Sequence, residues 1–318
     1  MSVQRHGSRP ERVPSASQVS LGSWAFAFGP YEKNPWPFER VCEFAAHAGY
    51  DGVEVNGFRP HPHYDDFLGD KDAVELKAQI SGYGLGLSGY APDFHQVPPA
   101  RVTSGVYLAE IAKALRFCEL LQIDVLRVDT VMAPQEVSPG EYEKCFKRLV
   151  TSWSEAAERC RKSGVTLVWE FEPGFWLNRP GEVLRLLTAV GHPNFGVLFD
   201  SSHAYVGGVR GARQGVDPEL VPDVTTYAKC LLGFIRHLHL ADSDGSLHDD
   251  DTSTHTPLGQ GVVDFRALLR ALEPIAGVLP WWCVDLCFSD AADVKATEAL
   301  RYVRWLQRDI SVSEEFSR

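Results

Sequence analysis

A chain of 318 residues with 44% hydrophobic and 23% charged side chains carries enough apolar content to bury a large core, which excludes a mainly disordered protein. Its formal charge of −11, from 31 Lys and Arg against 42 Asp and Glu, repels phosphate backbones and anionic lipid, so no nucleic-acid partner is expected. No run approaches the about 20 apolar residues that cross a bilayer, and residues 1–17 (MSVQRHGSRPERVPSAS) lack the apolar stretch of a signal peptide, which predicts a disordered lead-in, no membrane association and a cytoplasmic protein.

From residue 18 onward, short β-branched runs alternate with longer amphipathic stretches. In chain order the pattern predicts strand 19–26, helix 36–48, strand 51–56, helix 71–82, strand 84–90, helix 103–121, strand 124–130 and helix 139–162. Strand 164–170, helix 180–190, strand 195–200, helix 217–232, strand 234–240, helix 263–275, strand 280–286 and helix 290–308 follow. In helix 103–121 the apolar face is read as Val106, Ala109, Ile111, Ala112, Leu115, Cys118 and Leu121. Gly49, Gly82, Gly164 and Gly191 fall where left-handed residues close helices.

Eight strand–helix pairs between residues 18 and 310 predict an α/β chain folded as a single (β/α)8 TIM barrel, with 311–318 as a polar tail. A doubly wound open sheet is the alternative, but the first strand is followed by FAFGPYEKNPWPF and no G-x-G-x-x-G loop. The seven cysteines form no C-x-x-C pair and read as reduced, buried thiols. Two long connections, 56–70 and 241–262, are expected on the face where barrel chemistry sits.

Four polar residues end consecutive predicted strands: Glu170, Asp200, His239 and Asp285. Strands lie about 4.8 Å apart, so these side chains can meet at one centre. Three carboxylates gathered there need a positive partner, and three oxygens with one imidazole nitrogen suit Mn2+, with Mg2+, Co2+ or an open zinc site as alternatives. Other candidates at the mouth are Trp24, Glu54, Arg127, Asp129 and Trp176, and the stretch holding His61 and His63 reads as a substrate lid or a rigidified loop.

The runs GVTLVWEFEPG, FGVLFDSSHA, RHLHLADSDG and HTPLGQGVVDF resemble the xylose-isomerase-like barrels of sugar isomerases and epimerases. The resemblance covers nearly the whole chain from residue 18 and implies metal ligation by Glu170, Asp200, His239 and Asp285, where relatives commonly carry Glu at the last position. It implies a substrate-contacting role for His203 and a place near the metal site for His255, while Glu172, two residues past Glu170 and on the same side if the strand continues, reads as a loop or supporting group rather than a ligand. Trp24, Glu54, Arg127 and His255 are the expected substrate contacts, and Glu170, Asp285 and His203 the candidates for the base that removes a proton next to a keto group.

The segments GSWAFAFGPYEKNPWPFE, AGYDGVEVNGFRPHPH, RVDTVMAP and VDLCFSDAAD look closest to the α subunits of C-glycoside deglycosidases. That resemblance implies a lyase that expels an aromatic aglycone from a 3-keto-glucoside, a small β subunit and an oligomeric assembly. Keto-sugar isomerisation or epimerisation is the alternative activity. A non-catalytic sugar-binding barrel is a third reading, and the net charge disfavours the related DNA-repair endonucleases.

Overall fold

Where β-branched and aromatic residues run together the chain forms strands, and in the computed structural model, which describes residues 17–67 and 69–315, eight parallel strands close into one barrel in chain order. They are β1 (Gln18–Gly22), β2 (Gly52–Gly57), β3 (Gly86–Pro92), β4 (Val125–Val128), β5 (Thr166–Glu170), β6 (Phe195–Asp200), β7 (Ile235–Leu240) and β8 (Trp281–Val284). The ring shuts where β1 pairs with β8, Val19 opposite Trp282. Helices Phe38–Ala48, Asp70–Gly82, Ser104–Leu121, Tyr142–Lys162, Pro180–Val190, Val224–Leu231, Phe265–Leu272 and Ala292–Glu315 wrap the outside. The chain is therefore the (β/α)8 barrel expected from the pattern. The predicted lead-in lies outside the described residues except for Ser17. The last helix runs through the beginning of the predicted tail, and 316–318 lie outside the description.

Alternation along each strand sorts residues between barrel interior and helical layer. Trp169 turns outward against Trp153 of helix Tyr142–Lys162, with ring centroids 5.7 Å apart, so its neighbour Glu170 turns inward. Phe199 packs outward on Tyr227, and Asp200 likewise faces in. On β7, Leu238 and Leu240 belong to the apolar core while His237 and His239 share the inner face. Trp153 is buried completely, and its indole N–H donates to the Tyr107 hydroxyl at 3.0 Å, so a polar atom enters the helix–sheet layer without an unmet bond.

Several local expectations are corrected. The first strand stops at Gly22 and Ser23–Phe26 form a 3-10 turn, because the Trp24 ring folds back over Gly22, where an added Cβ would lie 2.2 Å from the indole. Helix 217–232 begins only at Val224; Pro218 and Pro222 break the preceding segment, and Asp223 caps the helix by accepting the Thr226 N–H at 2.7 Å. Helix Ser104–Leu121 buries Tyr107, Leu108, Ala114 and Phe117 beside Ile111, Leu115, Cys118 and Leu121, leaving Val106, Ala109 and Ala112 on its outer side. Gly82 is the last helical residue and Gly84 takes the left-handed conformation, with φ of 77°. All seven cysteines are free thiols, but Cys230 is exposed and Cys287 half-buried, so burial holds for five of them.

The connection 241–262 is organised by one buried carboxylate. Asp242 accepts from the backbone N–H groups of Gly259 and Gly261 at Oδ2 (2.9 Å each), and from Ser243 (2.9 Å) and Val263 (3.1 Å) at Oδ1. Four amide protons closing on a side chain with no exposed surface fold the loop back onto the barrel mouth. Asp242→Ala should lower the free energy of unfolding by about 2–4 kcal/mol, read from urea denaturation. A change below about 0.5 kcal/mol would contradict this account of the loop.

Candidate metal centre

The inward turns at the strand ends bring the four predicted ligands together. One ligand atom from each of Glu170, Asp200, His239 and Asp285 lies within 4.8 Å of the others, and all four residues are buried. Asp285 follows β8 directly, held in line by its N–H donating to the Leu240 carbonyl at 3.0 Å.

Glu170 Oε1, Asp200 Oδ2 and His239 Nδ1 have no hydrogen-bond partner although each is buried. His239 Nδ1 stands 3.0 Å from Glu170 Oε1 and 3.6 Å from Asp285 Oδ2, without the angles of a hydrogen bond to Glu170. Two carboxylate oxygens and an imidazole nitrogen, unsatisfied and converging, fit a divalent cation bonded to all of them. Their other atoms are engaged. Glu170 Oε2 accepts from Arg127 at 2.5 Å, and Asp200 Oδ1 accepts the His203 N–H at 2.7 Å. Asp285 Oδ1 receives the Trp24 indole N–H (2.7 Å) and the Cys287 N–H (2.9 Å), and lies 3.0 Å from His255 Nδ1. The shorter Asp side chain thus reaches the cluster, with one oxygen tied down and Oδ2 turned toward the centre.

Glu54 is placed differently from its expected role. It does not line the mouth; it has no exposed surface and sits behind His239, with Oε1 3.0 Å from His239 Nε2 and Oε2 2.7 Å from His237 Nε2. Its part is to hold the His239 ring so that Nδ1 faces the cluster.

A cavity of ≈ 680 Å3 opens above this floor. Of the predicted substrate contacts, Trp24, Arg127 and His255 line it, together with Glu170, His203 and Asp285. Arg127 lies between Glu170 and Asp129, donating to the latter at 3.1 Å. Trp176 is packed against Tyr142 and Phe175 takes its place in the lining. His61 is a structural residue, its ring held between the Ser23 hydroxyl and the Trp36 carbonyl, and His63 Nδ1 accepts the Asp65 N–H. Thr252 and Ser253, which carry no sequence signal, matter here. Thr252 donates to Glu172 at 2.8 Å, and the Ser253 hydroxyl lies 2.8 Å from His203 Nδ1.

Charge is distributed accordingly. Burial pushes the Glu170 carboxyl up, but Arg127 and His239 outweigh it and hold the group at about 2. Burial raises Asp200 to about 7 against the opposing pull of His255. Burial also lowers His203 to about 3, so its ring is neutral at physiological pH. For His239, Glu54 and Glu170 overcome burial and raise the imidazole well above its ordinary value, and Asp285 does the same for His255, to about 9. The cluster therefore holds protons where a cation would sit.

A sequence model described as the xylose isomerase-like TIM barrel matches residues 42–301. A fructoselysine 3-epimerase of Escherichia coli O157:H7 is 26% identical over 243 residues, which span 74% of this chain and 80% of that protein. Among solved structures, a D-tagatose 3-epimerase-like protein superposes with a TM-score of 0.69 at 18% identity, covering 92% of this chain and 99% of the other. The IolI protein, solved with a zinc atom, gives 0.67 at 19% identity, covering 92% and 97%.

Protons on Asp200 and His239 must leave before a cation can bind. Mn2+ affinity should therefore rise as pH increases from about 6 to about 8, and calorimetric titration should register proton release. His239→Ala and Asp200→Asn should abolish stoichiometric binding, and Glu54→Gln should weaken it about 10–100-fold. An affinity independent of pH, or full retention in His239→Ala, would rule the centre out.

Proposed function

The chain belongs to the xylose isomerase-like TIM barrel family, and on that footing we propose that it is a divalent-cation-dependent sugar isomerase or epimerase that moves a proton on the carbon next to a keto group. The observation that carries this reading is the convergence of unpartnered Glu170 Oε1, Asp200 Oδ2 and His239 Nδ1 beneath a cavity large enough for a monosaccharide. The sugar epimerase similar over most of the chain supports the same class.

Glu170, Asp200, His239 and Asp285 would hold the cation, with Mn2+ the first choice for this donor set. When bound, it supplies Lewis acidity to neighbouring substrate oxygens and so makes the adjacent C–H more acidic. Proton movement falls to the protein. Asp285 Oδ1 and Glu170 Oε2 are already engaged, so neither is free to accept a proton. His203 presents a neutral ring, its Nδ1 within hydrogen-bonding distance of Ser253 Oγ and its Nε2 4.0 Å from Glu172 at the cavity wall. With the proton on Nδ1, Nε2 is the atom that takes the substrate proton. Glu172, raised to about 8 by burial and the nearby Glu170 charge, is a protonated partner able to deliver one. Return of the proton to the other face gives the epimer, and return to the neighbouring carbon gives the isomer.

A second reading, elimination of an aglycone from a 3-keto-glucoside with a small β subunit, draws on a chain of rings around the mouth. His95, Phe58, Phe28, Phe288 and His248 follow one another with centroids 3.8–6.3 Å apart and could face a flat aglycone.

Incubation of the Mn2+-loaded protein with ketohexoses in D2O should place deuterium on the carbon beside the keto group. Release of free aglycone from a 3-keto-glucoside would favour the second reading instead. His203→Ala should reduce turnover about 10²–10⁴-fold with the cation retained, whereas Glu170→Gln should lose both. Full turnover in Glu170→Gln, or no exchange with any ketose in the loaded protein, defeats the isomerase reading.

A further inference from the structure

The buried polar atoms left unsatisfied on the β2–β4 side of the cavity include, besides Arg127 Nε, one from Asn56 and one from Asp129, neither of which takes part in the metal centre. Asn56 lies two residues beyond Glu54, on the same inner face but nearer the mouth, and only 1% of its surface is exposed. Its Oδ1 accepts the Phe58 N–H at 3.1 Å, which fixes the orientation of the amide, and the remaining atom, Nδ2, has no partner. Asp129, 7% exposed, follows β4. Its Oδ2 accepts from Arg127 and its Oδ1 has no partner. Both residues line the cavity.

Between them stands β3, whose contribution to this part of the lining is the methyl group of Ala91, in register with Asn56. Two strand spacings separate Asn56 from Asp129, about 10 Å, and the small side chain between them leaves the wall open. Buried donors and acceptors are rarely left unmade in a native protein, and those that line a cavity are completed by water or by a ligand that displaces it. The described lining contains one Arg and no Lys, and that Arg is already paired with Glu170 and Asp129. His255 is tied to Asp285, and the carboxylates of Glu32, Glu136, Asp249 and Asp250 in the same lining outweigh the positive charge that is left, so the wall repels a phosphate.

We infer that Asn56 and Asp129 recognise the unreactive end of an uncharged polyol chain, the Asn56 amide donating to one hydroxyl oxygen and Asp129 Oδ1 accepting the proton of another. This rests on the cavity being a sugar site, and it narrows the substrate class to non-phosphorylated sugars. A hydroxyl missing at either point leaves a buried group unpaired, which is how such a site rejects deoxy analogues.

The test is calorimetric binding, at fixed pH and with Mn2+ loaded, of neutral ketohexoses, their monodeoxy analogues and a ketohexose phosphate. Wild type should bind at least one neutral ketohexose and bind the phosphate at least about 10-fold more weakly. Asn56→Ala should weaken binding about 5–10-fold and Asp129→Asn about 10-fold or more, with manganese content unchanged. For one monodeoxy analogue matched to each residue, wild type should show the same loss and the variant no further loss. Equal loss across all analogues, unchanged affinity in both variants, tighter phosphate binding or no ketohexose binding at all would each overturn the inference. If a variant does not fold, the wild-type series decides: no single deoxy position costing more than about 3-fold overturns it. Polyol binding with these losses but no turnover would sink the isomerase reading and leave this pair standing. Turnover with KM unchanged in both variants would do the reverse.

Discussion

The centre depends on a carboxylate that never touches solvent. Glu54 lies inside the barrel between the Nε2 atoms of His237 and His239, and burial alone would drive its proton on. The two imidazoles reverse that and keep it ionised. In return, the carboxylate engages His239 Nε2, so that Nδ1 is the atom that faces Glu170, Asp200 and Asp285 and offers them a lone pair once its proton has left. A ring free to choose its tautomer could point a proton into the cluster and close it to a cation. The arrangement of the cluster at the mouth is thus set one layer deeper.

Above that layer, electrostatic balance is maintained by pairing. Arg127 bridges Glu170 and Asp129, and His255 with the Trp24 indole occupies one oxygen of Asp285. The loop after β7 supplies Ser253 and Thr252 to His203 and Glu172, and it can do so because Asp242 gathers four backbone N–H groups at its base. Removing any one of these partners would leave a charge or a lone pair buried without company, which is costly in a site this dry.

Glu170, Asp200, His239 and Asp285 were legible in the sequence because strand ends in a parallel barrel have to converge, so residue type and position are enough. The barrel itself was legible for a related reason, since eight alternations of β-branched runs and amphipathic stretches leave few other arrangements. Depth was not legible. Glu54 and Asn56 share an inner face by their spacing of two, yet they differ by two residue rises, about 6.6 Å, which separates a support beneath His239 from a side chain in the cavity. Thr252 and Ser253 sit in a loop without periodicity, and their positions follow from tertiary folding around Asp242. The face of helix Ser104–Leu121 was misjudged because small residues on its outer side imitate an apolar stripe, while Tyr107 and Phe117, whose bulk selects the inward side, fall off that count.

The bond between the Trp24 indole and Asp285 spans 261 positions of the chain. It ties the first turn of the barrel to a cluster residue that enters with the final strand, across the seam where β1 meets β8. During synthesis, every earlier strand can be made and paired while this corner is still missing. The cluster is therefore completed late in the life of each nascent chain, and a prematurely terminated product, however well its remaining strands pair, would lack Asp285 and the Trp24 contact that holds it.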